Sequence, residues 1–214
     1  MKNNKILNLT NRVLLGALAL GTVAGLVVVP LDQSLPIHWD ISGNPDNWAP
    51  ALVAILFPLI LAIAVIALMA FGKRGMQKDF EAGQHVIEAS VSIVLAVALV
   101  ILATVIAYGL GHTLDIPRIA TAMVGAIFLV LGNYLPKSQP NRVAGVRVPW
   151  TMNDPANWAI TNRRTGQLMM LGGIVALIAA IANPPSALMI FILAAAILVP
   201  VIASLWISYS LSRR

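Results

Sequence analysis

Six long apolar runs, separated by segments that hold nearly every charge, constrain this chain more than any other feature of its sequence. Crossing roughly 30 Å of hydrocarbon at about 1.5 Å per residue takes about 20 mostly apolar residues. The candidate spans run approximately from Val13 to Leu31, Ala51 to Phe71, Val86 to Leu110, Ile119 to Pro136, Gln167 to Ala182 and Ala187 to Tyr209. The fifth is the shortest and carries Gly172 and Gly173; a turn at Asn183, Pro184 and Pro185 sets it off from the sixth, so the two read as a tight helical hairpin. An open chain in lipid must satisfy its backbone within each segment, which helices do. The expected fold is therefore an all-α polytopic membrane protein with six transmembrane helices.

Composition removes the competing classes. With 59% hydrophobic and 10% charged residues, the chain has more apolar surface than a water-facing fold hides, and too little charge for disorder. It has no cysteine, so disulfides, thiolate metal sites and cysteine nucleophiles are excluded. The net charge of +6 does not suggest nucleic acid, because the cations lie between apolar runs rather than on one soluble face. It reads as topology. Lys2, Lys5 and Arg12 precede the first span; Lys73, Arg74 and Lys78 follow the second; Lys137, Arg142, Arg147, Arg163 and Arg164 follow the fourth; Arg213 and Arg214 end the chain. Six spans put these 13 of the 14 basic residues on one side and leave Arg118 on the other, so both termini are expected in the cytoplasm of a bacterial-type cytoplasmic membrane.

The first apolar run is about 19 residues, longer than the roughly 7–15 of a signal peptide, and reads as a retained anchor. Gly21 and Gly25 within it have the spacing that lets another helix approach closely. The five tryptophans and three tyrosines fall near span ends, as an interfacial aromatic belt would place them.

Two segments outside the spans are dense in Pro, Gly, Asn, Asp and Trp. The first, expected outside the cell, reads Pro36-Ile37-His38-Trp39-Asp40-Ile41-Ser42-Gly43-Asn44-Pro45-Asp46-Asn47-Trp48, a composition of ordered turns. The second, expected in the cytoplasm, includes Asn141, Gly145, Arg147, Pro149, Trp150 and Thr151, and then Trp158, Asn162, Arg163 and Gly166. Its Trp158 to Gly166 end reads as an interfacial helix leading into the fifth span. Asn133 and Asn141 bracket a Pro-containing break, where amides can satisfy freed backbone groups.

These segments carry a resemblance. The P-x-H-W-D-x-x-G run at Pro36 to Gly43 resembles a small membrane domain of unknown function. The stretch from Gly132 to Lys137, the N-x-x-x-G-x-R-x-P-W-T run at Asn141 to Thr151, and the W-x-x-T-N-R-x-x-G run at Trp158 to Gly166 are similar to the SdpI family. That family comprises bacterial six-helix immunity proteins against a sporulation-delaying peptide toxin. Val148 stands where the family more often has Thr. The resemblance implies a two-helix membrane domain over residues 1–85, with its ordered extracellular loop at 32–50, and an SdpI-like four-helix domain over 86–214, with its cytoplasmic motif loop at 137–166. It implies protection from a secreted peptide toxin bound at the outer face, and signalling that holds a repressor protein at the membrane, with lipid as the surrounding partner and no direct nucleic-acid contact. The motif residues carried over are Pro36, His38, Trp39, Asp40, Gly43 and Asp46 outside, and Asn133, Asn141, Gly145, Arg147, Pro149, Trp150, Trp158, Asn162, Arg163 and Gly166 inside.

One reading of another class stays open. His38 and Asp40, with His112 and Asp115 in the next outer loop, offer two imidazoles and two carboxylates, a donor set suited to a divalent metal in a metal-binding protein or metalloenzyme. Hydrogen-bonded loop residues explain them better, since the spacing within each pair is not a diagnostic metal motif, and no recognisable catalytic motif accompanies them. His85 and Glu88 open the third span, and Glu88 is the one carboxylate at the edge of an apolar run. No ionisable group lies near the middle of a span, which argues against a proton-coupled transporter or an ion channel.

Overall fold

The structure, a computed structural model, describes residues 6–213. Lys2, Lys5 and Arg214, used above for topology, lie outside the described residues. Six helices are long and apolar enough to cross a membrane. In chain order the elements are α1 (Leu9–Val28), the strands β1 (Ser34–Trp39) and β2 (Pro45–Pro50), α2 (Ala51–Gly75), a short α3 (Gln77–Ala82), α4 (Gln84–Gly109), α5 (Ile116–Tyr134), a 3-10 turn at Leu135–Lys137, a one-turn α6 (Pro149–Met152), α7 (Pro155–Ala182) and α8 (Ser186–Ser212).

Local chemistry sets the ends. Asn8 caps α1, its side chain accepting from the Asn11 N–H at 2.9 Å, and Pro30 follows the helix. Asp154 caps α7 by accepting from the Ala156 N–H at 2.8 Å, with Pro155 at the first helical position, where its missing N–H costs nothing. Asn183 closes α7 in the left-handed region, φ +48°, and Pro184 and Pro185 prevent its continuation. Pro58 and Pro200 sit inside α2 and α8. Large apolar side chains on these helices, such as Leu20, Phe57, Phe71, Ile181, Phe191 and Trp206, are exposed, as expected where lipid rather than protein covers them.

The chain divides into two compact units. One comprises Lys5–Phe71 with Val91–Pro117. Its core joins Leu18, Val29, Leu35, Ile55, Leu95, Leu102 and Val105 from α1, the hairpin, α2 and α4. The glycine spacing in α1 serves close packing: a Cβ on Gly25 would lie 2.8 Å from the Ile106 side chain, and one on Gly21 3.2 Å from Leu102. Asn11, fully buried, donates to the Ile6 carbonyl at 2.7 Å and accepts from the Ser92 hydroxyl at 2.6 Å.

The other unit comprises Gly72–Ser90 and Arg118–Arg214. Here α5 and α7 meet backbone to backbone at two levels. A Cβ on Gly125 would lie 2.9 Å from the Gly173 carbonyl, and one on Gly132 2.6 Å from the Gly166 carbonyl. Gly125 and Gly132 are two helical turns apart, as are Gly166 and Gly173, so the pairs recur on one face of each helix. α7 and α8 form the expected helical hairpin, with Gly172 against Ala196.

Two features differ from expectation. The helix expected over Trp158 to Gly166 and the fifth span expected from Gln167 are one continuous helix, α7, starting at Pro155, because its polar stretch satisfies itself inside the helix. Thr161 Oγ1 donates to Asn157 Oδ1 at 2.9 Å, Thr165 Oγ1 to the Thr161 carbonyl at 2.8 Å, and Asn162 Nδ2 to the Trp158 carbonyl at 2.9 Å. Trp158, expected in an interfacial belt, is instead 1% exposed and part of the packed interior of its unit.

Candidate functional site

The first motif segment is an antiparallel β-hairpin with Ser34 opposite Pro50, Leu35 opposite Ala49 and Pro36 opposite Trp48; irregularities follow at Pro36/His38 and His38/Trp39. It is fastened to its own unit. Leu35 enters the core, Gln33 Nε2 donates to the Gly109 carbonyl at 3.1 Å, and the Trp48 ring meets Tyr108 edge-on at 5.8 Å. The turn is built on Asp40. Its Oδ1 accepts from the Ser42 and Asn44 N–H groups, both at 2.8 Å, and its Oδ2 from the Asn44 amide at 3.2 Å. The Asn44 N–H, helped by the Asn44 side chain and by the Ser42 and Gly43 N–H groups, holds the Asp40 carboxyl below the usual carboxylate range. Gly43 takes φ +87° against Pro117, a Cβ there falling 2.6 Å from the proline ring, so the motif glycine answers both a turn and a close approach.

Across the hairpin, His38 Nδ1 pairs with Asp46 Oδ1 at 2.6 Å, and both side chains are open to solvent. Ile37, Ile41 and Trp48 are exposed beside them, while Pro36 is buried and Trp39 packs partly against the core. The hairpin thus presents an imidazole, a carboxylate and apolar surface on a braced frame. The metal reading does not find its ligands gathered. His38 is engaged by Asp46, Asp40 by its turn, and among the described residues no group of three or more His, Asp or Glu side chains is placed to hold a metal ion.

The second motif segment uses its polar residues inward. Asn141, 1% exposed, donates to the Gln139 and Ala144 carbonyls at 2.7 and 2.9 Å and accepts from the Val143 and Ala144 N–H groups at 2.8 and 2.7 Å. All the hydrogen-bonding capacity of one amide shapes one loop. Asn162, from α7, accepts from the Val146 N–H at 2.8 Å, and the buried Trp158 indole donates to the Ser138 carbonyl at 2.9 Å. Thr151 Oγ1 donates to the Val146 carbonyl at 2.7 Å and accepts from the Val148 N–H at 3.1 Å. Gly145 crosses this platform at φ +121°, where a Cβ would lie 2.6 Å from the Trp158 ring. Below, Asn157 Nδ2 donates to the Ser208 carbonyl of α8 at 2.9 Å.

The loop is also tied to α3. The Arg142 N–H donates to Asp79 Oδ1 at 2.8 Å and the Gln139 N–H to the Ala82 carbonyl at 3.0 Å, while the Asn141 side chain lies against Gly83. On this scaffold the cations face outward: Arg142, Arg147, Arg163 and Arg164 are exposed, with Arg147 Nη1 donating to the Arg142 carbonyl at 2.5 Å. Trp150 packs edge-on against Tyr209 at 5.7 Å, and its buried Nε1 has no hydrogen-bond partner among the described residues. Pro149 starts α6, Gly166 serves the α5 crossing, and Asn133 is exposed and does not join the network.

Asp79, Ser138, Thr151 and Asn157 complete the scaffold without having been singled out as site residues. Thr151 was visible as the end of the P-W-T run; the others bear no local signal, because their partners come from distant segments. Glu88 accepts from the Gln84 amide at 3.1 Å one helical turn away.

Residues 137–204 match the SdpI/YfhL protein family, and residues 16–69 match a domain of unknown function, DUF1648. The immunity protein SdpI of Bacillus subtilis (strain 168) is 22% identical over 145 residues, which is 68% of each chain. No solved structure matches the chain. The six apolar helices and this relative make it a multi-pass protein of the cytoplasmic membrane. The chain is thus similar to the SdpI family over its carboxy-terminal part, with a DUF1648-like region ahead of that segment.

Proposed function

We propose that this protein is an SdpI-like membrane immunity protein that protects its cell by engaging a secreted peptide toxin at the outer face, through the β-hairpin. The observation that carries the reading is the hairpin itself: exposed His38, Asp46, Ile37, Ile41 and Trp48 are displayed on a frame that Leu35, Gln33 and Gly43 brace. A peptide that attacks membranes is amphipathic, and a rigid surface mixing apolar side chains with one ion pair suits it at low entropic cost. This is a binding role and needs no cofactor.

The topology follows from the charges, with both termini and the motif loop in the cytoplasm and the hairpin outside. The chain has no native cysteine, so single cysteines report sidedness directly. A cysteine replacing the exposed Ser42 is expected to react with an impermeant maleimide in intact cells, and one replacing the exposed Asn153 only after lysis.

Signalling belongs to the cytoplasmic loop, where Arg142, Arg147, Arg163 and Arg164 form the exposed surface that holds a repressor protein while toxin occupies the hairpin. The decisive experiment is survival. A toxin-sensitive bacterium expressing the chain is challenged with a panel of purified secreted peptide toxins that includes the sporulation-delaying peptide. Protection against at least one, lost in His38→Ala/Asp46→Ala at equal membrane abundance, is expected. Absence of protection across the panel, or full protection by the double variant, defeats the proposal.

A further inference from the structure

A cleft of about 320 Å³ opens beside the motif loop, lined by Lys78 and Glu81 of α3, Gln84 and His85 at the start of α4, and Lys137 and Gln139 after α5. Its volume equals that of roughly ten waters at about 30 Å³ each, room for a phosphate group with an organic substituent. The walls are fixed to one another by the Gln139 N–H bond to the Ala82 carbonyl and the Arg142 N–H bond to Asp79. The cleft therefore exists before any ligand arrives.

Its charge is uncompensated. Two ammonium groups face one carboxylate, and that carboxylate already accepts from the Gln77 amide at 3.1 Å. Among the described residues neither Lys78 nor Lys137 has a carboxylate partner; Lys137 rests 4.4 Å from the Tyr134 ring instead. His85 and Gln139 add further polar groups, and the amino-terminal end of the 26-residue α4 adds the positive end of its dipole. The level is equally specific. Gln84 begins one apolar span and Lys137 ends another, so the cleft sits at the membrane–water boundary, where phosphate headgroups lie.

We propose that this cleft is a binding site for a phosphate-bearing anion, held by Lys78 and Lys137. The proposal is independent of the immunity reading. The phosphate reaches it either as the headgroup of an anionic lipid or as a free phosphate compound, and the recognising chemistry is the same.

The full-length protein, reconstituted into phosphatidylcholine nanodiscs, is titrated with inorganic phosphate. In parallel, nanodiscs containing a minor fraction of phosphatidylglycerol are used, and the phosphatidylglycerol retained on detergent extraction is counted by native mass spectrometry. Binding of inorganic phosphate alone identifies a free anion as the source, and selective retention of phosphatidylglycerol identifies the lipid; either supports the site. Lys78→Gln/Lys137→Gln is expected to weaken that binding by about 30-fold, roughly fivefold for each cation removed. Lys78→Arg/Lys137→Arg is expected to restore it, which separates loss of charge from loss of fold. Arg74→Gln, which removes one positive charge from an exposed residue outside the cleft, is expected to leave it unchanged. Binding of neither probe, equal binding by the glutamine double variant, or an equal loss in Arg74→Gln overturns the proposal.

Discussion

The hairpin and the motif loop are alike in sequence and opposite in use. Both are rich in Asn, Asp, Gly, Pro and Trp, yet the hairpin turns His38 and Asp46 out to solvent, and the motif loop buries Asn141, Thr151, Trp158 and Asn162. A six-residue strand pair can settle its backbone in a ladder and leave side chains for display. The connection over residues 138–154, with only the one-turn α6 as regular structure, has no such ladder, so side-chain amides and hydroxyls from it and from the start of α7 accept and donate in its place. The same residue types thus mark a recognition surface in one place and a scaffold in the other, and burial tells them apart.

That contrast can be broken by substitution. The largest effect is expected for Asn141→Ala, which strips two N–H donors and two carbonyls of their partner and should cost about 3 kcal/mol or more. Unfolding in detergent would read it, and a loss below about 0.5 kcal/mol, the scale of a surface change, would show that the loop does not depend on this amide. Next comes Gly145→Ala, where strain at positive φ and collision with Trp158 together should cost about 1–3 kcal/mol. In a Trp158→Phe background the cost should shrink, since the ring atoms in the way are gone; a double-mutant cycle with additive effects would deny the contact.

His38→Ala should move stability by no more than about 1 kcal/mol, because an exposed pair contributes little, while abolishing toxin protection. If this variant unfolds like Asn141→Ala, the hairpin is scaffold too and the distinction collapses. The smallest effect concerns acid. The Asp40 carboxyl is held below its unfolded value near 3.9, so its contribution is present above that pH and is lost as the pH falls through the folded value. The protection factors of the Ser42 and Asn44 amides, which are corrected for the intrinsic pH dependence of exchange, should therefore fall only below about pH 4, and Asp40→Asn should remove that dependence. A fall already near neutrality would point to another group.

Much of this architecture was legible because lipid demands a blunt signal. The six spans follow from apolar length, and the α1 glycines announced a close approach that Ile106 and Leu102 supply. The strands were legible only as ordered turns, since Pro36, Pro45 and Pro50 suppress a strand pattern; the pair tolerates them because a two-stranded sheet is all edge. A helix over Trp158 to Gly166 was legible, but not its start at Pro155 or its unbroken run into the fifth span, because the bonds that Asn157, Thr161, Asn162 and Thr165 make along one helix do not show in the sequence. The motif residues could be read off as a pattern, but a one-dimensional pattern does not say which way a side chain points. The cleft escaped altogether, being assembled from residues 78–85 and 137–139, each unremarkable alone.

The paired glycines of α5 and α7 also have a mechanical meaning. Gly125 against Gly173 and Gly132 against Gly166 seat two backbones in each other at two levels, like a key with two teeth. Sliding by one residue would drive a side chain into a carbonyl at both levels at once, so the two helices cannot creep past one another in small steps. Any displacement of α7 along its axis must carry α5 with it as one rod, so the pair moves by tilting together rather than by a shift within it.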